Sequence, residues 1–131
     1  MKRRHLALAL GMLLFSSACA PYRATVEVEP TESDSRVLFL DVGNVVWLRV
    51  VRMAVGRGSN GQMEVRLQLL NKGLTDATVD LKVEFRDGHG FELESTGFTP
   101  VFLRSGVSET YRTSSISDSV QDFRVYVRNA K

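Results

Sequence analysis

The stretch 63-MEVRLQLLNKGLTDATVDLKVEFRD-87 decides the fold. Met63, Val65, Leu67 and Leu69 alternate with Glu64, Arg66 and Gln68. After a short polar connection, Val79, Leu81, Val83 and Phe85 alternate with Asp80, Lys82, Glu84 and Arg86. Successive side chains of a strand point to opposite faces, so each run reads as a strand with one face in a core and one in water. Leu67, Leu81 and Phe85 are expected at the centre of that core. Arg66, Lys82 and their alternating neighbours are expected on the wetted faces. Alternation alone allows the two strands to form a hairpin, with Arg66 opposite Asp80 and Glu64 opposite Lys82 as complementary pairs.

Downstream, Asp87-Gly88-His89-Gly90 reads as a turn into a short strand at Phe91–Leu93. Ser95–Thr99 reads as loop, and Pro100 suits a sheet edge because it cannot donate to a ladder. Val101–Leu103 and Ser108–Ser114 form a further strand pair about the turn Arg104-Ser105-Gly106. Asp122–Arg128 is the last strand, with Phe123, Val125 and Val127 inward and Arg124, Tyr126 and Arg128 outward. Upstream, Val45–Val55 is a strand whose alternation slips near Val50-Val51, as a β-bulge or a strand changing sheets would cause. Trp47 is the sole tryptophan and is expected in the core. Val37–Leu40 is a short strand candidate.

Gly56, Gly58 and Gly61 match the G-x-G-x-x-G spacing of dinucleotide-binding loops. That motif needs a helix after it to face the pyrophosphate, and here a strand follows, so a hairpin turn at Asn60-Gly61 is the better reading. No stretch shows a helical stripe of useful length. Seven or so short strands punctuated by turns predict an all-β, antiparallel β-sandwich.

The N-terminus, MKRRHLALALGMLLFSSACA, has the pattern of an export signal. Lys2, Arg3 and Arg4 precede the ten apolar-run residues Leu6–Phe15, and the small residues Ser16, Ser17 and Ala18 follow. A bilayer-spanning helix needs roughly 20 apolar residues, so the run is too short for a permanent anchor. Cys19 is the only cysteine and has no internal disulfide partner. Phe15-Ser16-Ser17-Ala18-Cys19 resembles the lipobox of bacterial lipoproteins, with Ser16 standing where that motif usually has Leu. The resemblance implies a lipid on Cys19, which becomes the mature N-terminus, and Ala20 after it implies sorting to the outer membrane. Soluble export with cleavage close to Cys19 is the alternative.

Residues 1–18 are thus expected to be a signal peptide, 19–35 a lipidated tether with a possible short edge strand at Val26–Val28, and 36–131 the sandwich. Cleavage leaves 14 basic against 15 acidic residues, a net charge of −1 on 113 residues. The basic balance of the full chain belongs to its leader, and nothing favours nucleic acid, whose phosphates need a basic field.

Asn71 with its polar connection, Val83-Glu84-Phe85-Arg86-Asp87-Gly88-His89-Gly90, and Asp122-Phe123-Arg124-Val125-Tyr126-Val127-Arg128 together resemble the YcfL-like lipoproteins of Gram-negative bacteria. These are small immunoglobulin-like periplasmic domains of unknown function. The similarity spans about residues 49–129; Phe85 stands where the family often has Trp. It implies that the strands around Leu67 and Leu81 lie in opposite sheets, facing each other across the core. It implies no catalytic residue.

Little in the chain suggests chemistry. His89, the one histidine left after cleavage, sits between two glycines in a turn, and no cluster of soft ligands remains for zinc. No serine stands in a nucleophile-elbow sequence, and Asp118 and Asp122 lack the spacing of a calcium loop. No cofactor, metal, nucleic acid or small-molecule substrate is expected. The candidate partner-binding face is Arg124, Tyr126 and Arg128, with Lys82 and Arg86 nearby, because Tyr and Arg dominate interface energetics. The chain therefore reads as an outer-membrane-anchored periplasmic lipoprotein, a non-enzymatic binding or accessory module that meets an envelope protein or cell-wall component. A subunit of a secretion or envelope-spanning complex is the alternative, and a hydrolase the rival from another class.

Overall fold

The computed structural model describes residues 26–28, 36–41 and 43–131; the expected signal peptide and Cys19 lie outside them. Nine strands run in chain order: β1 (Val26–Val28), β2 (Val37–Phe39), β3 (Leu48–Arg57), β4 (Met63–Asn71), β5 (Ala77–Arg86), β6 (Glu92–Ser95), β7 (Thr99–Leu103), β8 (Ser108–Ser114) and β9 (Asp122–Asn129). One helical turn, α1 (Asn44–Trp47), leads into β3. The strands form a sandwich of a four-stranded sheet, β1-β3-β4-β8, and a five-stranded sheet, β2-β9-β5-β6, with β7 also pairing β5.

The all-β sandwich is as expected, and its immunoglobulin-like layering puts β4 and β5 in different sheets. No hairpin joins them, so Arg66 and Asp80 are not neighbours. Arg66 faces Arg112 of β8, and Asp80 faces Arg128 of β9. The nine strands of the described residues include the short pieces β1, β2 and β6, each near a stretch that the sequence offers as a strand candidate. The sandwich is also not purely antiparallel, since β2 pairs β9 in parallel, Val37 beside Val125. The edge strand allowed within the tether segment exists, with Val26 opposite Val55 and Val28 opposite Met53.

The core is the inward parity of β4, β5 and β9. Val65, Leu67, Leu69, Val79, Leu81, Val83, Phe85, Phe123, Val125 and Val127 are all buried, with Met53 and Leu103 beside them. Fully burying each large aliphatic or aromatic side chain contributes about 1.5–3 kcal/mol, which makes this layer the main source of stability. The phase slip is a bulge: the β3–β4 register shifts between Val50 and Arg52. The bulge lets Leu48 and Met53 both reach the core while Val51 is pushed to the surface. Trp47 packs against the core from α1, so the strand expected from Val45 begins only at Leu48.

Two hairpins close by one device. Gly61 donates to the Gly58 carbonyl at 3.0 Å and Gly58 to that of Gln62 at 2.9 Å; Gly90 donates to the Asp87 carbonyl at 3.2 Å and Asp87 to that of Phe91 at 2.9 Å. Gly61 and Gly90 both have φ of 85°, the left-handed region that glycine enters without steric cost. GRGSNG is therefore a turn between strands.

Asn71 ends β4 fully buried. Its Nδ2 donates to the carbonyls of Thr75 at 2.9 Å and Leu103 at 3.0 Å, and its Oδ1 accepts from the Gly73 amide at 2.8 Å. Its own carbonyl accepts from Gly106 at 2.8 Å. One side chain thus fixes the crossover from one sheet to the other against the β7–β8 corner.

Candidate functional site: the outer face of the five-stranded sheet

β9 places Arg124, Tyr126 and Arg128 on the outward face, where β5 presents Asp80, Lys82, Glu84 and Arg86 in register: Glu84 beside Arg124, Lys82 beside Tyr126 and Asp80 beside Arg128. The three residues of the candidate face are therefore brought together. They are not equally free. Arg124 is exposed and has no ion pair among the described residues. Tyr126 and Arg128 are half-buried.

The expectation that the outward side of β5 is wetted needs correction. Asp80 and Glu84 are only 8% and 6% exposed. Against the cations that pair with them lies Phe98, a residue of the β6–β7 loop. The Arg128 guanidinium lies 3.6 Å from the Phe98 ring centroid, and the Lys82 ammonium lies 5.7 Å from Phe98 and 4.7 Å from Tyr126. Cations in such positions are held by the ring quadrupoles. Thr96 sets the loop in place: its Oγ1 accepts from the Val83 amide at 3.0 Å, and its own amide donates to the Val83 carbonyl at 3.0 Å. These bonds satisfy β5 where its partner changes from β6 to β7, and they lay Phe98 across the sheet.

Around Asp80 and Glu84 the charges are paired. Arg86 Nε donates to Glu84 Oε1 at 2.7 Å, and a second guanidinium nitrogen makes an ion pair with the same oxygen. Lys82 Nζ stands 3.7 Å from Glu84 Oε2, and Arg128 Nε donates to Asp80 Oδ2 at 3.2 Å. Arg86 also donates to the Tyr126 hydroxyl at 3.4 Å. Burial pushes the Glu84 carboxyl up, but hydrogen bonds from Arg86 and Tyr126 and the charges of Arg86 and Lys82 outweigh it. The net result is a carboxyl held below its ordinary value. Glu84 is the hub of the face.

The outer face of the other sheet has the same alternation. Glu64 accepts from Arg66 Nε and from Arg112 Nη2, both at 2.6 Å, and the two guanidinium side chains remain 46% and 62% exposed. Burial pushes the Glu64 carboxyl up, but the hydrogen bonds and charges of these two arginines together hold it below its ordinary value.

His89 is exposed at the tip of the β5–β6 turn. Asp87 Oδ1 accepts from the His89 amide at 2.8 Å and the Phe91 amide at 3.0 Å, so the aspartate is hydrogen-bonded by backbone and not by the imidazole. The Phe91 amide foremost, with the His89 and Gly90 amides and the charge of His89, holds its carboxyl below the ordinary value. Asp118 is an exposed loop residue whose carbonyl receives Arg57 Nη1 at 3.3 Å. Among the described residues no three His, Cys, Asp or Glu side chains group to hold a metal ion.

No protein-family profile matches the chain, and no curated protein does. Solved structures do. A Campylobacter jejuni protein, cj0090, superposes with a TM-score of 0.56 at 20% identity, over 72% of this chain and 98% of its own. A DUF1425 family member from Shewanella sp. pv-4 superposes with a TM-score of 0.56 at 19% identity, over 64% of this chain and 79% of its own. At such identities the likeness shows the fold.

Proposed function

We propose that the chain is a YcfL-like lipoprotein of the Gram-negative envelope, anchored through Cys19 at the periplasmic side of the outer membrane. In this reading it is a non-enzymatic accessory module that receives a partner on the outer face of the five-stranded sheet. The export pattern ending at Cys19 supports the anchor, and the fold shared with a DUF1425 protein is compatible with the family. One observation carries the binding role. Tyr126 is held by Arg86 and Lys82, and Arg128 by Asp80 and the Phe98 ring, so an incoming surface meets rings and guanidinium edges already held in place. Preorganisation of this kind removes ordering costs that otherwise oppose association.

Because Arg86, Lys82 and Arg128 are each paired with Glu84 or Asp80, Arg124 is the exposed cation of the face left to draw an acidic partner. Arg124→Glu should leave the circular dichroism spectrum unchanged and lose the partners captured by crosslinking in the envelope. An unchanged partner set from a folded variant removes the face from consideration. The anchor is tested separately: Cys19→Ser should abolish incorporation of labelled fatty acid, and persistent labelling would exclude the lipobox.

A further inference from the structure

The outer face of the four-stranded sheet gathers four exposed arginines, whereas Arg124 alone of the cations on the candidate partner face is exposed. Arg49 and Arg52 of β3 stand opposite Leu70 and Gln68, and Arg66 of β4 stands opposite Arg112 of β8, all on the outward parity. All four arginines are exposed. Glu64 is the one carboxylate among the described side chains of that face, and it is shared by Arg66 and Arg112. Even counting Glu27, which stands opposite Ala54 in register, the face keeps a surplus of two positive charges. The processed chain as a whole carries −1. The rest of the processed chain is therefore acidic on balance, and this face carries four exposed guanidinium groups.

The same sheet receives the chain from its N-terminal side. β1 is its edge strand, and Val26 lies seven residues after Cys19. At about 3.3–3.6 Å per residue, even a fully extended link of that length reaches about 25 Å. A lipid on Cys19 thus keeps the domain within a short reach of the bilayer, with the chain entering at the edge of the four-stranded sheet.

We propose that the outer face of the four-stranded sheet, through Arg49, Arg52, Arg66 and Arg112, docks on the anionic lipid surface to which the chain is anchored. This rests on the anchor reading above and extends it to an orientation: one sheet faces lipid, and the Arg124–Tyr126–Arg128 face points away from it toward the partner. Basic residues close to an anionic bilayer are attracted to it over about a Debye length, roughly 10 Å at 0.1 M salt. Arg66 and Arg112, splayed about one carboxylate, present guanidinium edges that suit phosphate oxygens.

The test uses the exported, processed chain in vesicles of phosphatidylcholine with phosphatidylglycerol. A nitroxide is attached to a cysteine introduced at Thr110 on this face, or at Arg124 on the other, and headgroup-bound nickel chelate is the relaxation probe. The Thr110 label should be broadened and the Arg124 label should not. Arg66→Gln with Arg112→Gln, high salt, or phosphatidylcholine alone should each abolish the difference. Equal broadening of both labels in vesicle-bound protein overturns the docked orientation and leaves the anchor standing. Label-to-label broadening without a nickel effect overturns it in favour of a second copy covering the face. Protein that stays out of the vesicles overturns anchor and orientation together.

Discussion

The two outer faces carry near-identical sequence patterns and behave differently. On β4, Glu64 keeps 18% of its side chain exposed between two well-exposed arginines; on β5, Glu84 keeps 7% between Arg86 and Lys82, with the Lys82 ammonium over the Tyr126 ring. Exposed ion pairs are worth about 0–1 kcal/mol because water and salt screen them. A charge taken out of water is another matter: removing its partner leaves an uncompensated group whose desolvation is no longer offset. The lesson is that alternation tells which side of a strand a residue takes, while contacts from other elements decide whether that side is wet.

The core sets the scale for breaking this contrast. Phe85→Ala, at the inner parity of the same strand as Glu84, should cost about 3–5 kcal/mol in denaturant melts. Glu84→Ala should come next, at about 1–3 kcal/mol, because it strands Arg86 and Lys82 in a half-buried layer. Glu64→Ala and Arg66→Ala should each stay within about 0.5–1 kcal/mol and shrink further in high salt. Equal costs for Glu84→Ala and Glu64→Ala would erase the distinction between the faces.

Acid sharpens the same comparison. A carboxyl held below its ordinary value in the folded chain contributes stability above the ordinary glutamate range, and that contribution is lost as pH falls through the folded-state value. Glu84→Gln should therefore flatten the acid side of the stability profile, and the effect should persist in salt. Glu64→Gln should give a weaker, salt-erased version of the same sign.

Much of the fold was legible because burial at Leu67, Leu81, Phe85 and Val125 is dictated by local parity. The bulge at Val51 was legible for the same reason, since one extra residue reverses every side chain after it. The parallel pairing of β2 with β9 was not, because a three-residue run such as Val37–Phe39 records no direction of its partner. Arg124, Tyr126 and Arg128 were placed on their face by parity as well. What parity could not report was Phe98, a lone apolar residue between Gly97 and Thr99. The clue, in hindsight, is an aromatic side chain in a polar loop, which needs something to lie against. Its contacts with Arg128 and Lys82, the cations that pair with Asp80 and Glu84, were hidden with it.

The two short N-terminal strands have a mechanical consequence. A pull on the chain upstream of Val26 first loads the three residue pairs of β1 on β3, and then the three of β2 on β9. The core behind them is stitched by the eight pairs of β5 with β9. Force arriving through the N-terminal segment would peel these strands in turn, and each release would lengthen the leash before the load reached Phe85 and its neighbours. Such a domain gives way by extension at its margin first, so a brief tug need not unfold it.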